Sequence, residues 1–319
     1  MYKILVITPT EHIDGLHKYL LSIGEVTFLE DPMFEDLKGL ENDYDAVYTN
    51  PNKTKIFIDK NFLSLFPKLK VICTASTGTN HIDKDALKQR GIDLLSLTNE
   101  RDVINLISST AEHAFALTIS SLRNIASSYS SVLNDQWDYT EYIGRQFNGL
   151  SIGVIGFGRL GKFYAKYCHS FGAKIYVYDP YVDEVTSAYT RLDSLQEICR
   201  KSNVLSIHVH VSEETTNLID LKVLNLMKKD VLIINTSRGE VINEDDLIAF
   251  LQENDNARIA TDVIANEVTN RLDSPIIKYA KNSAQVLITP HIGGMTKEAQ
   301  EIAYNHAAQM LGKYFSGKI

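Results

Sequence analysis

The stretch that decides the fold is Ser151-Ile152-Gly153-Val154-Ile155-Gly156-Phe157-Gly158-Arg159-Leu160-Gly161. Ser151–Ile155 has the apolar, β-branched character of a buried strand, and Leu160–Ser170 has the pattern of a helix. Between them Gly156, Gly158 and Gly161 give the spacing GxGxxG. In that setting Gly156 permits the tight turn, Gly158 lets the backbone approach a pyrophosphate, and Gly161 lets helix and strand pack closely. The free N–H groups of the helix start favour the phosphates. Asp179 ends the next apolar run, Lys174–Tyr178. A carboxylate there accepts hydrogen bonds from ribose hydroxyls and repels a 2′-phosphate, which favours NAD over NADP. Asp179 can also serve as a turn residue before Pro180. Arg159 either reaches the pyrophosphate or lies on a solvated helix face.

Downstream the alternation continues. Val204–His208, Val231–Asn235, Arg258–Val263 and Val286–Thr289 are predicted strands. Ser194–Lys201, Lys222–Met227, Glu244–Gln252 and Pro275–Ala280 are predicted helices, and a last helix, Thr296–Tyr314, starts at a Thr296 N-cap. Upstream, Lys3–Thr8, Ala46–Thr49, Leu69–Thr74 and Ile92–Leu97 are predicted strands. They are interleaved with helices over His12–Ile23, closed by Gly24, and Asp83–Gln89. Apolar strands separated by helices imply α/β architecture: two doubly wound parallel sheets. A long helical stretch spans Asn105 to about Asn124. The second unit begins either at Ser151 or already with that helix. Ser127–Gly149, which holds the only tryptophan, Trp137, has weak periodicity and is expected to be an excursion or arm.

The chain has 319 residues, which is a length for about two domains, and a net charge of −8. The acidic excess argues against a broad nucleic-acid-binding surface. Three separated cysteines, Cys73, Cys168 and Cys199, form neither a disulfide framework nor a zinc pattern and suit a reducing compartment. No apolar run is long enough to span a membrane, and the N-terminus lacks a signal-peptide pattern. The expectation is a cytoplasmic protein with no resident metal.

Candidate chemistry gathers after the predicted strands. Ligands of open parallel sheets bind beyond the carboxyl ends of the strands. Arg238 follows Val231–Asn235, where a guanidinium can hold a carboxylate bidentately. Asp262 lies within an apolar strand, where a carboxylate is costly without a partner, and Glu267 follows it. His291 follows the last strand, before Ile292-Gly293-Gly294, and imidazole is the side chain most readily poised for proton transfer near neutrality. In the N-terminal half, Ser76-Thr77-Gly78-Thr79-Asn80 can form a nest of backbone amides around an anion, or an ordinary strand-to-helix turn.

Together these segments resemble the NAD-dependent D-isomer-specific 2-hydroxyacid dehydrogenase family over nearly the whole chain. The pieces that carry the resemblance are Ala75–Asp83 (ASTGTNHID), Ser109–Ala114 (STAEHA), Gly153–Gly161 (GVIGFGRLG), Leu205–Ile219 (LSIHVHVSEETTNLI), Ile234–Leu247 (INTSRGEVINEDDL), Ala260–Glu267 (ATDVIANE) and Thr289–Gly294 (TPHIGG). The resemblance implies a Rossmann NAD-binding domain over 102–291 and a discontinuous, flavodoxin-like substrate domain formed by 1–101 and 292–319, with the active site in the cleft between them. It implies His291 as acid/base, Glu267 as its orienting partner, and Arg238 as carboxylate anchor and carbonyl polariser. Thr77, Gly78 and Thr79 would cradle the carboxylate with their amides. Gly156, Gly158, Arg159, Leu160, Gly161, Asp179, His208, Thr236, Ser237, Asp262, His291, Gly293 and Gly294 would line the cofactor. The excursion over 127–149 would be a dimerisation arm, making a homodimer.

Within the implied activity, phosphoglycerate dehydrogenase and hydroxypyruvate or glyoxylate reductase are alternatives, and Lys53 and Lys55 are the candidate cations for a phosphorylated substrate. A non-catalytic NAD(H)-sensing scaffold is the reading from another class, and an S-adenosylmethionine-dependent transferase is disfavoured by the downstream residues. Two departures from the family pattern stand out. His210 replaces the proline usual two residues after His208, and Val268 replaces the proline usual after the active-site glutamate. The short tail after the last helix implies that the regulatory domain of some phosphoglycerate dehydrogenases is absent.

Overall fold

A computed structural model describes residues 1–50, 56–267 and 271–318. Lys53, Lys55 and Val268 lie outside the described residues. The chain divides into two compact units, Met1–Ile107 with Met295–Ile319, and Ser108–Gly294.

In the first unit, β1 (Tyr2–Val6), β2 (Gly24–Phe28), β3 (Ala46–Thr49), β4 (Val71–Thr74) and β5 (Asp93–Ser96) pair in parallel in the order β2-β1-β3-β4-β5. This is the flavodoxin-like order. β3 and β4 are buried throughout, as apolar runs covered on both faces require. Strand β2 carries no strand pattern in the sequence, where Gly24 reads only as a helix stop. Gly24 both closes helix Leu16–Ile23 and opens the strand with no loop between. Because β2 is a half-exposed edge carrying Glu25 and Thr27, it lacks the apolar run that marks its neighbours.

The C-terminal helix, Lys297–Phe315, belongs to this unit. Its Ala303, Ala307, Ala308 and Leu311 pack with Ile4, Val6, Tyr48, Val71 and Cys73. Thr296 caps it, accepting a hydrogen bond from the Ala299 amide, as anticipated. Unit boundaries fall after Ile107 and Gly294, whereas the sequence reading placed them after 101 and 291. Packing explains the shift. Ile104 and Ile107 join the apolar cluster of the first unit, while the amides of Ile292 and Gly293 are bound by Asp262 in the second.

The second unit contains β6 (Ser151–Ile155), β7 (Lys174–Tyr178), β8 (Thr190–Arg191), β9 (Val204–Ile207), β10 (Leu232–Asn235), β11 (Arg258–Thr261) and β12 (Val286–Ile288). Their order is β12-β11-β10-β9-β6-β7-β8, parallel throughout. Counted from β6, this is the doubly wound order 3-2-1-4-5-6 extended by one strand. Two-residue β8 escaped the sequence reading because it is too short for any periodicity. Helices Ser109–Leu122 and Arg159–Ser170 cover one face through Ala111, Ala114, Leu117, Tyr164 and Ala165. Leu195–Lys201 and Glu244–Glu253 cover the other. The 127–149 excursion contains the end of a regular helix, Ile125–Leu133. Beyond it Trp137, Tyr139 and Ile143 are each more than four-fifths exposed (87%, 83% and 83%).

Leu311 is fully buried. Leu311→Ala is expected to destabilise the first unit by about 2–5 kcal/mol, read as a lower urea midpoint.

Candidate functional site

All seven strands of the second sheet point the same way, so their carboxyl-end loops share one edge. The glycine turn lies there, between neighbours β6 and β9, where the winding reverses. Gly156 has φ 86°, and a side chain on it would meet the His208 carbonyl oxygen at 2.6 Å. A Cβ on Gly161 would lie 2.1 Å from the Gly156 oxygen. Neither position tolerates a side chain. Gly158 differs: a Cβ there meets nothing within 4 Å, so its lack of a side chain keeps open the space above the turn. Gly158 is also the N-cap of Arg159–Ser170 and offers no side-chain cap, which leaves N–H groups for an anion. Leu160 is half-buried in the first turn, and burial lowers the pKa of the Arg159 guanidinium beside it.

Asp179 anchors the far side of the turn. Its Oδ2 accepts the Phe157 amide at 2.7 Å and its Oδ1 the Tyr181 amide at 2.9 Å. Carboxylate oxygens have further lone pairs, so the turn-forming role and a ribose-binding role are compatible. Thr236 Oγ1 is buried without a partner among the described residues, a cost that a bound polar group would remove. Open space at Gly158, the uncapped helix start, Asp179 and this unpaired hydroxyl all fit a dinucleotide.

His208 is part of the wall of this turn. Its Nε2 lies 2.9 Å from Ser206 Oγ and its ring packs on Tyr164, whose hydroxyl meets Thr118 at 2.8 Å. Burial pushes its pKa down to about 3, so the ring is neutral near pH 7. His210 is exposed, and its carbonyl accepts from Thr215 Oγ1 at 2.5 Å.

The loop after β10 is held by Asn235. Its Oδ1 accepts the Ser237 amide and hydroxyl at 3.0 and 2.9 Å, and its Nδ2 donates to the Arg238 carbonyl at 2.9 Å. Arg238 is half-buried, and its Nη1 donates to the Ser237 carbonyl at 2.7 Å. Next to it, a Cβ on Gly239 would lie 1.9 Å from the Ile264 carbonyl carbon. Only glycine lets this loop touch the one after β11, which leads to Glu267.

His291 follows β12 in the left-handed region, φ 57°, a strained position for a residue with a side chain. Its Nδ1 is 2.8 Å from Glu267 Oε1, and both side chains are about one-third exposed (36% and 33%). Glu267 thus engages one ring nitrogen and leaves Nε2 for another partner.

Asp262, only 2% exposed, organises the same turn. Oδ1 accepts the Ile292 amide at 2.9 Å and the Thr289 hydroxyl at 2.5 Å, and Oδ2 accepts the Gly293 amide at 2.7 Å. Burial alone would raise its pKa. Hydrogen bonds from His113, Thr289 and the two amides outweigh that and hold the carboxyl below its ordinary range. His113 was not singled out from the sequence, although it lies within the quoted STAEHA. The sequence signal was that segment itself; the contact needed the fold. A Cβ on Gly294 would meet nothing within 4 Å.

Glu267 and His291 are therefore in contact, Arg238 stands in the loop packed against the one leading to Glu267, and Thr236, Ser237, Asp262 and Gly293 share that edge. Thr77, Gly78 and Thr79 are in the first unit, after β4. There Ser76 Oγ donates to the Gly78 carbonyl at 2.6 Å and Thr98 Oγ1 to the Thr77 carbonyl at 2.8 Å. With the carbonyls engaged by hydroxyls, the three amides donate no hydrogen bond among the described residues. Among those residues no group of three or more His, Cys, Asp or Glu is arranged to hold a metal ion, and no helix is long and apolar enough to cross a membrane.

The depressed pKa of buried His208 makes folding stability depend on pH. Between its folded pKa of about 3 and an ordinary value of about 6.5, the unfolded chain binds the extra proton. This contribution is complete above about pH 6.5 and declines as pH falls, by up to about 1.4 kcal/mol per pH unit. Urea midpoints from pH 7 to 5 should fall less steeply for His208→Asn than for the parent protein.

Comparison with known proteins gives the family. The family described as D-isomer specific 2-hydroxyacid dehydrogenase, NAD binding domain, matches residues 115–293. The D-3-phosphoglycerate dehydrogenase of Mycobacterium tuberculosis is 30% identical over 296 residues, covering 92% of this chain and 53% of that protein. The glyoxylate reductase of Thermococcus litoralis is 33% identical over 274 residues, covering 82% of this chain and 78% of that protein. The chain thus spans about half the length of the first of these relatives. Among solved structures, D-lactate dehydrogenase from Aquifex aeolicus, complexed with NAD and lactic acid, superposes with a TM-score of 0.77 at 26% identity, covering 99% of this chain and 96% of that one. With a dinucleotide turn, an NAD-binding-domain match and curated relatives at 30% and 33% identity, this chain belongs to the D-isomer-specific 2-hydroxyacid dehydrogenase family.

Proposed function

We propose that the protein is an NAD-dependent oxidoreductase that interconverts a D-2-hydroxyacid and its 2-oxoacid. The observation that carries this reading is the 2.8 Å contact between His291 Nδ1 and Glu267, at the same sheet edge as the glycine turn. A carboxylate on Nδ1 orients the ring and leaves Nε2 to give a proton to the substrate oxygen. Arg238 takes the substrate carboxylate as a bidentate anchor and stabilises charge developing on the carbonyl oxygen. NADH, when bound, supplies the hydride to the carbonyl carbon. In the reverse direction His291 Nε2 takes the hydroxyl proton, so oxidation gains and reduction loses as pH rises.

Relatives act on glyoxylate, phosphoglycerate and lactate by name. A small 2-oxoacid such as glyoxylate or hydroxypyruvate is the substrate we favour. Its contacts reduce to the carboxylate and carbonyl sites already described, whereas a phosphorylated acid needs further cations. We place the protein in the cytoplasm, consistent with three buried free thiols. We read Trp137, Tyr139 and Ile143 as part of a homodimer contact, since large exposed apolar side chains clustered on one segment mark association surfaces. Trp137→Asp should convert dimer to monomer in sedimentation velocity, and a parent protein that sediments as a monomer removes the arm reading.

The deciding experiment follows NADH consumption with glyoxylate, hydroxypyruvate, pyruvate and 3-phosphohydroxypyruvate, repeated with NADPH. Turnover with NADH is expected. NADH binding without turnover of any acid would instead favour a sensing scaffold. His291→Ala should lower turnover by roughly 10²-fold or more. Arg238→Lys should impair KM and kcat together, because a point charge cannot reproduce the guanidinium fork.

A further inference from the structure

Two histidine–carboxylate pairs stand at this sheet edge, and the mechanism uses only one. The second is His113 with Asp262. His113 Nε2 lies 3.2 Å from Asp262 Oδ1 and 2.9 Å from Thr289 Oγ1. Proton accounting fixes what Nε2 does. Thr289 has one hydroxyl proton, and it goes to Asp262 Oδ1 at 2.5 Å. The Thr289 oxygen can then only accept, so Nε2 carries a proton and donates it. Asp262 is 2% exposed, and among the described residues His113 is the one basic residue within ion-pair distance. Asp262 in turn holds the amides of Ile292 and Gly293, the two residues after left-handed His291.

The helix makes the arrangement stiff. Ala111, Ala114, Leu117 and Thr118 are buried along Ser109–Leu122, which leaves His113 little freedom. The same helix meets the turn a second time: a Cβ on Gly293 would lie 3.2 Å from Thr110 Cγ2 and 3.0 Å from Asp262 Oδ2. A strained backbone persists only where its surroundings over-determine it. Here those surroundings are the buried carboxylate and the imidazole 3.2 Å from it.

We propose that His113 is a positioning residue for the acid/base turn, acting through Asp262 to keep the Ile292 and Gly293 amides bound and His291 on Glu267. The proposal rests on the dehydrogenase reading for its effect on rate but not for its structural part.

Amide hydrogen exchange tests the structural part without turnover. In His113→Ala, exchange at Ile292 and Gly293 should quicken at least about tenfold, while amides of β6 stay unchanged. His113→Gln, which can place an N–H near the position of Nε2, should restore most of the protection. In turnover, His113→Ala should lower kcat by about tenfold to a hundredfold, as expected for a displaced reacting group, with KM for the 2-oxoacid and NADH affinity by fluorescence little changed. Because His113 acts through Asp262, the double variant His113→Ala/Asp262→Asn should be no slower than Asp262→Asn alone. Unchanged exchange at Ile292 and Gly293, equal impairment of the Ala and Gln variants, or additive losses in the double variant would each overturn the proposal. If the alanine variant does not fold, the Gln and Asp262→Asn proteins decide by the same exchange measurement. If the parent protein reduces no 2-oxoacid, the dehydrogenase reading fails while the exchange result still judges the clamp.

Discussion

The second unit depends on one constraint, the parallel register of its seven strands. Parallel pairing delivers every carboxyl-end loop to one edge. The glycine turn after β6, the Arg238 loop after β10, Asp262 after β11 and His291 after β12 are far apart in the chain yet share that edge. Close backbone approach then tightens the group. It is possible only where side chains are missing: at Gly156 against His208, at Gly161 against Gly156, and at Gly239 against Ile264. Each contact is too short for any side chain, so these glycines set the distances on which the site relies.

Two acids at the edge are handled differently by the fold. Glu267 is one-third exposed and touches the His291 ring. Asp262 is buried and spends its oxygens on two amides, a hydroxyl and an imidazole. Burial opposes a charge and hydrogen bonds restore it; with so many donors, Asp262 stays a carboxylate and behaves as a structural anion. His208 is a third case: with no carboxylate partner among the described residues, burial keeps its ring neutral, which makes it wall material rather than an acid/base.

Much of this was legible beforehand because its signals are local. GxGxxG after an apolar strand, an acid ending the next strand, and Thr296 as a cap are short-range patterns that work by short-range physics. Strand β2 was not legible: a half-exposed edge strand that starts on the residue closing a helix has neither an apolar run nor a turn to announce it. Nor was β8, at two residues. His113 lay in a quoted segment without a role, because its partner Asp262 is 149 positions away (262 − 113) and nothing in helical periodicity points to a strand end.

The amino-acid sequence by itself determined the alternation of strands and helices, the dinucleotide turn and the identity of the residues able to carry acid–base chemistry, since these follow from local sterics, periodicity and side-chain pKa. Tertiary structure alone decided which of those residues touch: His291 with Glu267, His113 with Asp262, and the Asp262 carboxylate with the amides after His291. Such contacts depend on strand order and on a few close backbone approaches, and both are properties of the packed chain rather than of any segment.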